Sequence, residues 1–126
     1  MADILIIDDD TDILIHAETV LAKAGHTVRT AVDGISAIQL FREIKPDLVI
    51  TDIFMPTKSG LSLIPELRIH NPDIRIIALS GGMDGVGMAG FILESAKKAG
   101  ALLTHEKPVS KEALLGLVQE ALSISL

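Results

Sequence analysis

Short aliphatic runs and amphipathic stretches alternate along the whole chain. Ile4 to Ile7 is a continuous aliphatic run bounded by acids, too short for a helix and suited to a strand buried on both faces. Beyond Asp8 to Asp10, the residues Ile13, Leu14, Ala17, Val20, Leu21 and Ala24 recur at helical spacing, with Asp10 or Thr11 as N-cap and Gly25 past the end. The unit repeats: Thr27 to Ala31 reads as a second strand, Asp33 as a cap, and Ile35, Ile38, Phe41 and Ile44 as the buried stripe of a helix stopped by Pro46. Leu48 to Thr51 is the third strand, followed by a turn at Met55-Pro56. The third helix carries Leu63, Ile64 and Leu67. Because Pro65 lacks an N–H, this helix either starts near Ser62, with the proline in its first turn, or starts near Ser59 with the proline inside it. Ile74 to Leu79 is the fourth strand and Ala101 to Leu103 a short fifth, with a Gly-rich stretch and a helix over Phe91 to Ala99 between them. A last helix follows Ser110, with Glu112 in its first turn and Ala113, Leu114, Leu117, Val118 and Ala121 on its apolar face.

Five strands alternating with five helices predict an α/β fold, a five-stranded parallel sheet with helices on both faces. Ligands of such sheets gather beyond the carboxyl ends of the strands, where the winding direction switches. Asp8 and Asp9 follow strand one, Asp52 strand three, Ser80 strand four and Lys107, before Pro108, strand five. Crowded carboxylates stay ionised together only beside a cation. Oxygen donors without Cys or paired His select a hard ion, Mg²⁺ before Mn²⁺. A phosphoryl group is the natural third party: the cation and Lys107 neutralise its oxygens, Ser80 hydrogen-bonds one of them, and a carboxylate attacks phosphorus to form an aspartyl phosphate.

Composition narrows the field. The 126 residues include 17 Asp and Glu against 11 Lys and Arg, a formal charge of −6, which repels a polyanion and argues against direct contact with nucleic acid. Apolar residues make up 48%, too many for a disordered chain, but their runs are too short to cross a membrane. The acidic start, MADILIIDD, is not a secretory signal, and the expectation is a cytoplasmic protein. Without cysteine there are no disulfides, thiol nucleophiles or thiolate metal sites. Aromatics are limited to Phe41, Phe54 and Phe91. The four histidines, 16, 26, 70 and 105, lack metal spacing and read as surface or edge residues.

The segments ILIIDDD, LVITDIFMPTKSG, IIALSG and Lys107-Pro108, in that order over essentially the whole chain, resemble the receiver domain of two-component response regulators. Taken singly, each has an ordinary reading as turn, cap, loop hydroxyl or surface lysine; their joint order is what is specific. The resemblance implies the flavodoxin-like (βα)5 fold with strand order 2-1-3-4-5. It implies Asp52 as phosphoacceptor, Mg²⁺ (or Mn²⁺) on Asp8, Asp9, Asp52 and the backbone carbonyl of Phe54, Ser80 as switch hydroxyl, Lys107 as phosphoryl contact, and a cis bond before Pro108. The implied partners are a histidine kinase or histidine phosphotransfer domain and a downstream protein. The expected form is a monomer or a weak dimer through the last two helices, with no enzyme turnover of a separate substrate. Residues 1–126 read as one receiver with no output domain, acting by partner binding or phosphate relay.

Three departures from the family pattern stand out. Thr104 occupies the place of the usual Tyr or Phe, with His105 beside it, so the output face is expected to be switched differently or weakly. GGMDGVGMAG, residues 81 to 90, reads as a long glycine-rich loop able to take over part of the switching. Phe54 and Gly82, at two positions that tune phosphoryl lifetime, offer no polar group to orient water, which predicts a long-lived phosphoryl group. Two other classes of function compete with this reading. A haloacid-dehalogenase-type phosphatase would use Asp8 as nucleophile with Asp10, Ser80 and Lys107, but would leave Asp52 idle. A receiver-like scaffold that is never phosphorylated would not need the five site residues. Leu102, Leu103 and Val109 read either as an exposed patch or as sheet core.

Overall fold

The computed structural model describes residues 1–55, 58–81 and 88–125. Strands β1 (Asp3–Ile7), β2 (Thr27–Ala31), β3 (Leu48–Asp52), β4 (Arg75–Ser80) and β5 (Leu103–Glu106) alternate with helices α1 (Thr11–Lys23), α2 (Gly34–Ile44), α3 (Gly60–His70), α4 (Met88–Ala99) and α5 (Lys111–Ser123). The strands form one parallel sheet in the order β2-β1-β3-β4-β5. This is the order that the resemblance implies.

The three central strands are aliphatic on both faces because helices cover both. Leu5, Ile7, Val49, Ile76 and Ala78 pack with Phe41, Leu63, Ile64, Leu67 and Ala96 from α2, α3 and α4. On the other face Ile4, Ile6, Leu48, Ile50, Ile77 and Leu79 pack with Leu14, Leu21, Leu114 and Val118 from α1 and α5. Each large aliphatic side chain so buried contributes about 1.5–3 kcal/mol. Leu102, Leu103 and Val109 are half-buried against this second cluster, so they belong to the core margin and not to an exposed patch.

Several boundaries differ from the sequence expectation. In α2 only Phe41 of the expected stripe is fully buried, Ile38 and Ile44 are half-buried, and Ile35 is 62% exposed. Small Gly34 and Ala37 are the other fully buried residues of this helix: Ala37 packs in the core with Phe41, and Gly34 lies against the Lys58 side chain. At the far end of α1, Ala24 is exposed, because it is already the C-cap. The third helix begins at Gly60, capped by the Ser59 hydroxyl, which accepts from the Leu61 N–H at 3.0 Å, so Pro65 lies inside it. The fifth strand starts two residues and ends three residues later than expected: its hydrophobicity fades on the sheet edge, where pairing with Ile77 to Ser80 sets its extent. Met88 to Gly90 belong to α4, while residues 82–87 of the glycine-rich segment, including Gly82, lie outside the described residues, as do Pro56 and Thr57.

Candidate functional site

The chain leaves β1 toward β2 on one side and, after β2, crosses back to β3 on the other, so the crevice beyond β1 and β3 is where the winding reverses. Ile7 is level with Thr51 in the β1–β3 ladder, so the residues that follow, Asp8 and Asp52, stand side by side. The ladder continues past the strand ends. Asp8 N–H donates to the Ala31 carbonyl at 3.1 Å, Ile53 N–H to Leu79 at 3.0 Å and Lys107 N–H to Ser80 at 2.8 Å. All four strand-end segments that carry site residues are therefore tied into the sheet.

The structure gathers the side chains of Asp8, Asp9, Asp52 and Lys107 at this edge and places Ser80 at the end of β4. Carboxylate oxygens of Asp8, Asp9 and Asp52 lie within 4.8 Å of one another. Lys107 reaches across, its Nζ 2.6 Å from Asp8 Oδ2 and 3.2 Å from Asp52 Oδ1. Asp8, Asp52 and Ser80 are buried, whereas Asp9 and Phe54 are exposed. The Lys107–Pro108 peptide bond is cis. Asp10 takes no part: its carboxylate caps α1 by accepting from the Asp12 N–H at 3.0 Å, an ordinary helix start. A dehalogenase-type reading needs that carboxylate free.

Electrostatics follow from the crowding. Burial pushes the Asp52 carboxyl up to about 6; Lys107 pulls it back, and the charges of Asp8 and Asp9 push it further up. For Lys107, burial alone would lower the ammonium, but its bond to Asp8 and the charges of Asp52 and Asp8 outweigh this and raise it. Lys107 supplies one positive charge to three carboxylates. The set thus fits one hard divalent cation: the donors are all oxygen, two of them are buried, and negative charge remains after the lysine is counted. Beside the acids, a cavity of about 720 Å³ lies between the start of α1 and the β5–α5 connection. It is walled by Ile13, His16, Val109 and Leu114 and shares Asp8, Asp9 and Lys107 with the acidic cluster.

Two contacts were not legible in the sequence. The buried Thr51 hydroxyl donates to the Asp52 carbonyl at 2.9 Å, and Gly60 lies directly against that same carbonyl. Both residues sit inside the LVITDIFMPTKSG segment, but nothing in its spacing shows that they meet the Asp52 backbone. The histidines lie away from the acids, except His16 on the cavity wall. His26 Nδ1 accepts from the Ala2 N–H at 3.2 Å, and His105 Nδ1 is 2.6 Å from the Glu106 carbonyl oxygen.

Residues 4–119 match the family model described as response regulator receiver domain. The chain is 34% identical over 124 residues to the DNA-binding transcriptional regulator NtrC of Azospirillum brasilense, covering 97% of this chain and 24% of NtrC. It is 34% identical over 99 residues to the chemotaxis protein CheY of Thermotoga maritima, covering 78% of each. The crystal structure of the receiver domain of NtrX from Brucella abortus superposes with a TM-score of 0.88 at 32% identity, over 98% of this chain and all of that one. The chain spans about a quarter of NtrC, and in that relative the receiver is one part of a longer protein. With that fold, that strand order and that acidic edge, the chain belongs to the response regulator receiver family, the phospho-accepting signalling domains of two-component systems.

Proposed function

We propose that Asp52 is the phosphoacceptor, that Asp8, Asp9, Asp52 and the Phe54 backbone carbonyl hold Mg²⁺, and that Lys107 and Ser80 engage the phosphoryl group. The observation that carries this reading is the convergence of three carboxylates and one ammonium at the switch point of the sheet. When bound, the cation supplies charge neutralisation for the phosphoryl oxygens and for the crowded acids.

The residues of the chain do the rest. Asp52, the acid most perturbed by burial, is a free nucleophile only when ionised; the Lys107 ammonium 3.2 Å away favours that form. In the transfer an Asp52 carboxylate oxygen forms a bond to phosphorus while the bond to the donor's leaving atom breaks, so that the leaving group carries off the electron pair. Lys107 is already poised beside both buried acids and moves only from carboxylate to phosphoryl oxygen. The cavity beside Asp8 and Asp9 offers the donor its place, and a histidine kinase or histidine phosphotransfer domain is the donor class that this chemistry fits. The domain transforms no separate substrate; it acts from the cytoplasm by phosphorylation-dependent binding of a further protein or by passing the phosphoryl group on. The Phe54 side chain carries no polar group that could orient an attacking water, which supports a longer-lived phosphoryl group; a half-life of seconds would contradict that.

The deciding test is intact-mass analysis after incubation with acetyl phosphate and Mg²⁺. Wild type should gain one phosphoryl group, and Asp52→Asn none. Labelling that survives in Asp52→Asn and disappears in Asp8→Asn would transfer the role to Asp8.

A further inference from the structure

Gly60 is the first residue of α3, and its backbone is not in the left-handed region, so no conformational demand calls for glycine there. The demand is for space. A Cβ at this position would stand 2.6 Å from the carbonyl oxygen of Asp52 and 2.8 Å from the Cα of Ile53. Both are backbone atoms, so no rotamer change relieves the clash; the β3 end or the helix must move. The Gly60 N–H meanwhile donates to the Ile53 carbonyl at 2.9 Å, binding the helix start to the strand end. The Thr51 hydroxyl, on a residue with 0% exposure, donates to the same Asp52 carbonyl at 2.9 Å. The Asp52 carbonyl is thus held by one residue and crowded by the other, two positions before the Phe54 carbonyl.

We propose that Gly60 and Thr51 are positioning residues for the phosphorylation site: together they set the backbone of Asp52 so that its carboxylate meets Asp8, Asp9 and Lys107, and they set the course of the chain to the Phe54 carbonyl. The inference rests on the assignment of Asp52 given above. Oxygen ligands of Mg²⁺ tolerate little displacement, so a brace of this kind is read out in metal affinity before it is read out in folding.

The test is isothermal titration of the full chain with Mg²⁺, alongside the rate of labelling by acetyl phosphate and the thermal midpoint. Gly60→Ala should weaken Mg²⁺ binding about tenfold and slow labelling in parallel. Val118→Ala, a core truncation in α5, should lower the thermal midpoint while leaving Mg²⁺ affinity as in wild type. A folded Gly60→Ala that binds Mg²⁺ as wild type does would overturn the proposal. If circular dichroism shows that Gly60→Ala does not fold, Thr51→Val decides: a Kd raised about threefold or more supports the brace, and an unchanged Kd overturns it. The underlying assignment fails separately, by wild type binding Mg²⁺ yet taking no phosphoryl group on Asp52, and the titrations then still judge the brace.

Discussion

At the scale of single residues, Asp52 joins chemistry to stability. Its carboxyl rises from an ordinary 3.8 to about 6 in the fold, so between those pH values the folded chain holds a proton that the unfolded chain has lost. Stability therefore falls as pH rises through that window, and above it the ionised group costs roughly 1–3 kcal/mol without a divalent cation. Asp52→Asn should raise the free energy of unfolding by about that much near pH 7–8 in chelator, and the gain should vanish below about pH 4; urea titrations at both pH values check it. Lys107 is the counterpart. Removing it as Lys107→Ala leaves Asp8, 2% exposed, without its 2.6 Å partner, and should destabilise the metal-free domain by about 3 kcal/mol. Added Mg²⁺ should restore part of that loss, seen as a larger upward shift of the thermal midpoint than in wild type. Gly116 is the opposite of Gly60. It lies exposed in α5 with no atom within 4 Å of a would-be Cβ, so Gly116→Ala should stabilise by up to about 1 kcal/mol in the same denaturation assay.

At the scale of elements, α3 shows why local signals left two starts open. Ser59 and Ser62 are both acceptable caps, and a proline prefers the first turn. Burial of Leu63, Ile64 and Leu67 against the sheet outweighs the missing N–H of Pro65, and the tie of Gly60 to Ile53 selects the earlier start. Because Pro65 is exposed, Pro65→Ala should let the Leu61 carbonyl accept an intrahelical bond and stabilise the domain by about 1 kcal/mol, again by urea titration. In α2 the period was legible but its phase was not: Ala37 and Phe41 take the core-facing side while Ile35 is left exposed, a choice made by packing against the rest of the fold. The edge strand β5 is similar. Its residues Thr104, His105 and Glu106 carry no strand signature, and their extended state comes from pairing with Ala78, Leu79 and Ser80. Thr104, level with Ala78, therefore faces the α2, α3 and α4 side of the sheet.

At the scale of the whole molecule, the parallel sheet is the device that makes the site. Asp8, Asp52, Ser80 and Lys107 are widely separated along the chain, and each merely ends or follows a strand. Parallel pairing places all the carboxyl ends on one edge, and the reversal of winding between β1 and β3 opens the crevice there. The backbone bonds that continue past the strand ends hold that edge in place, while Asp9 stands exposed beside the cavity between α1 and the β5–α5 connection.

The alternation of strands and helices and the central aliphatic strands follow from the sequence alone, because periodicity and short aliphatic runs are local properties that burial on two faces enforces. That was enough to anticipate the fold and to expect Asp8, Asp9, Asp52, Ser80 and Lys107 near one edge of the sheet. Only the tertiary structure decided how Lys107 divides itself between Asp8 and Asp52, how far burial raises the Asp52 carboxyl, and that Gly60 and Thr51 press on its backbone. These depend on distances between segments remote in sequence, and no spacing along the chain encodes a distance across the sheet.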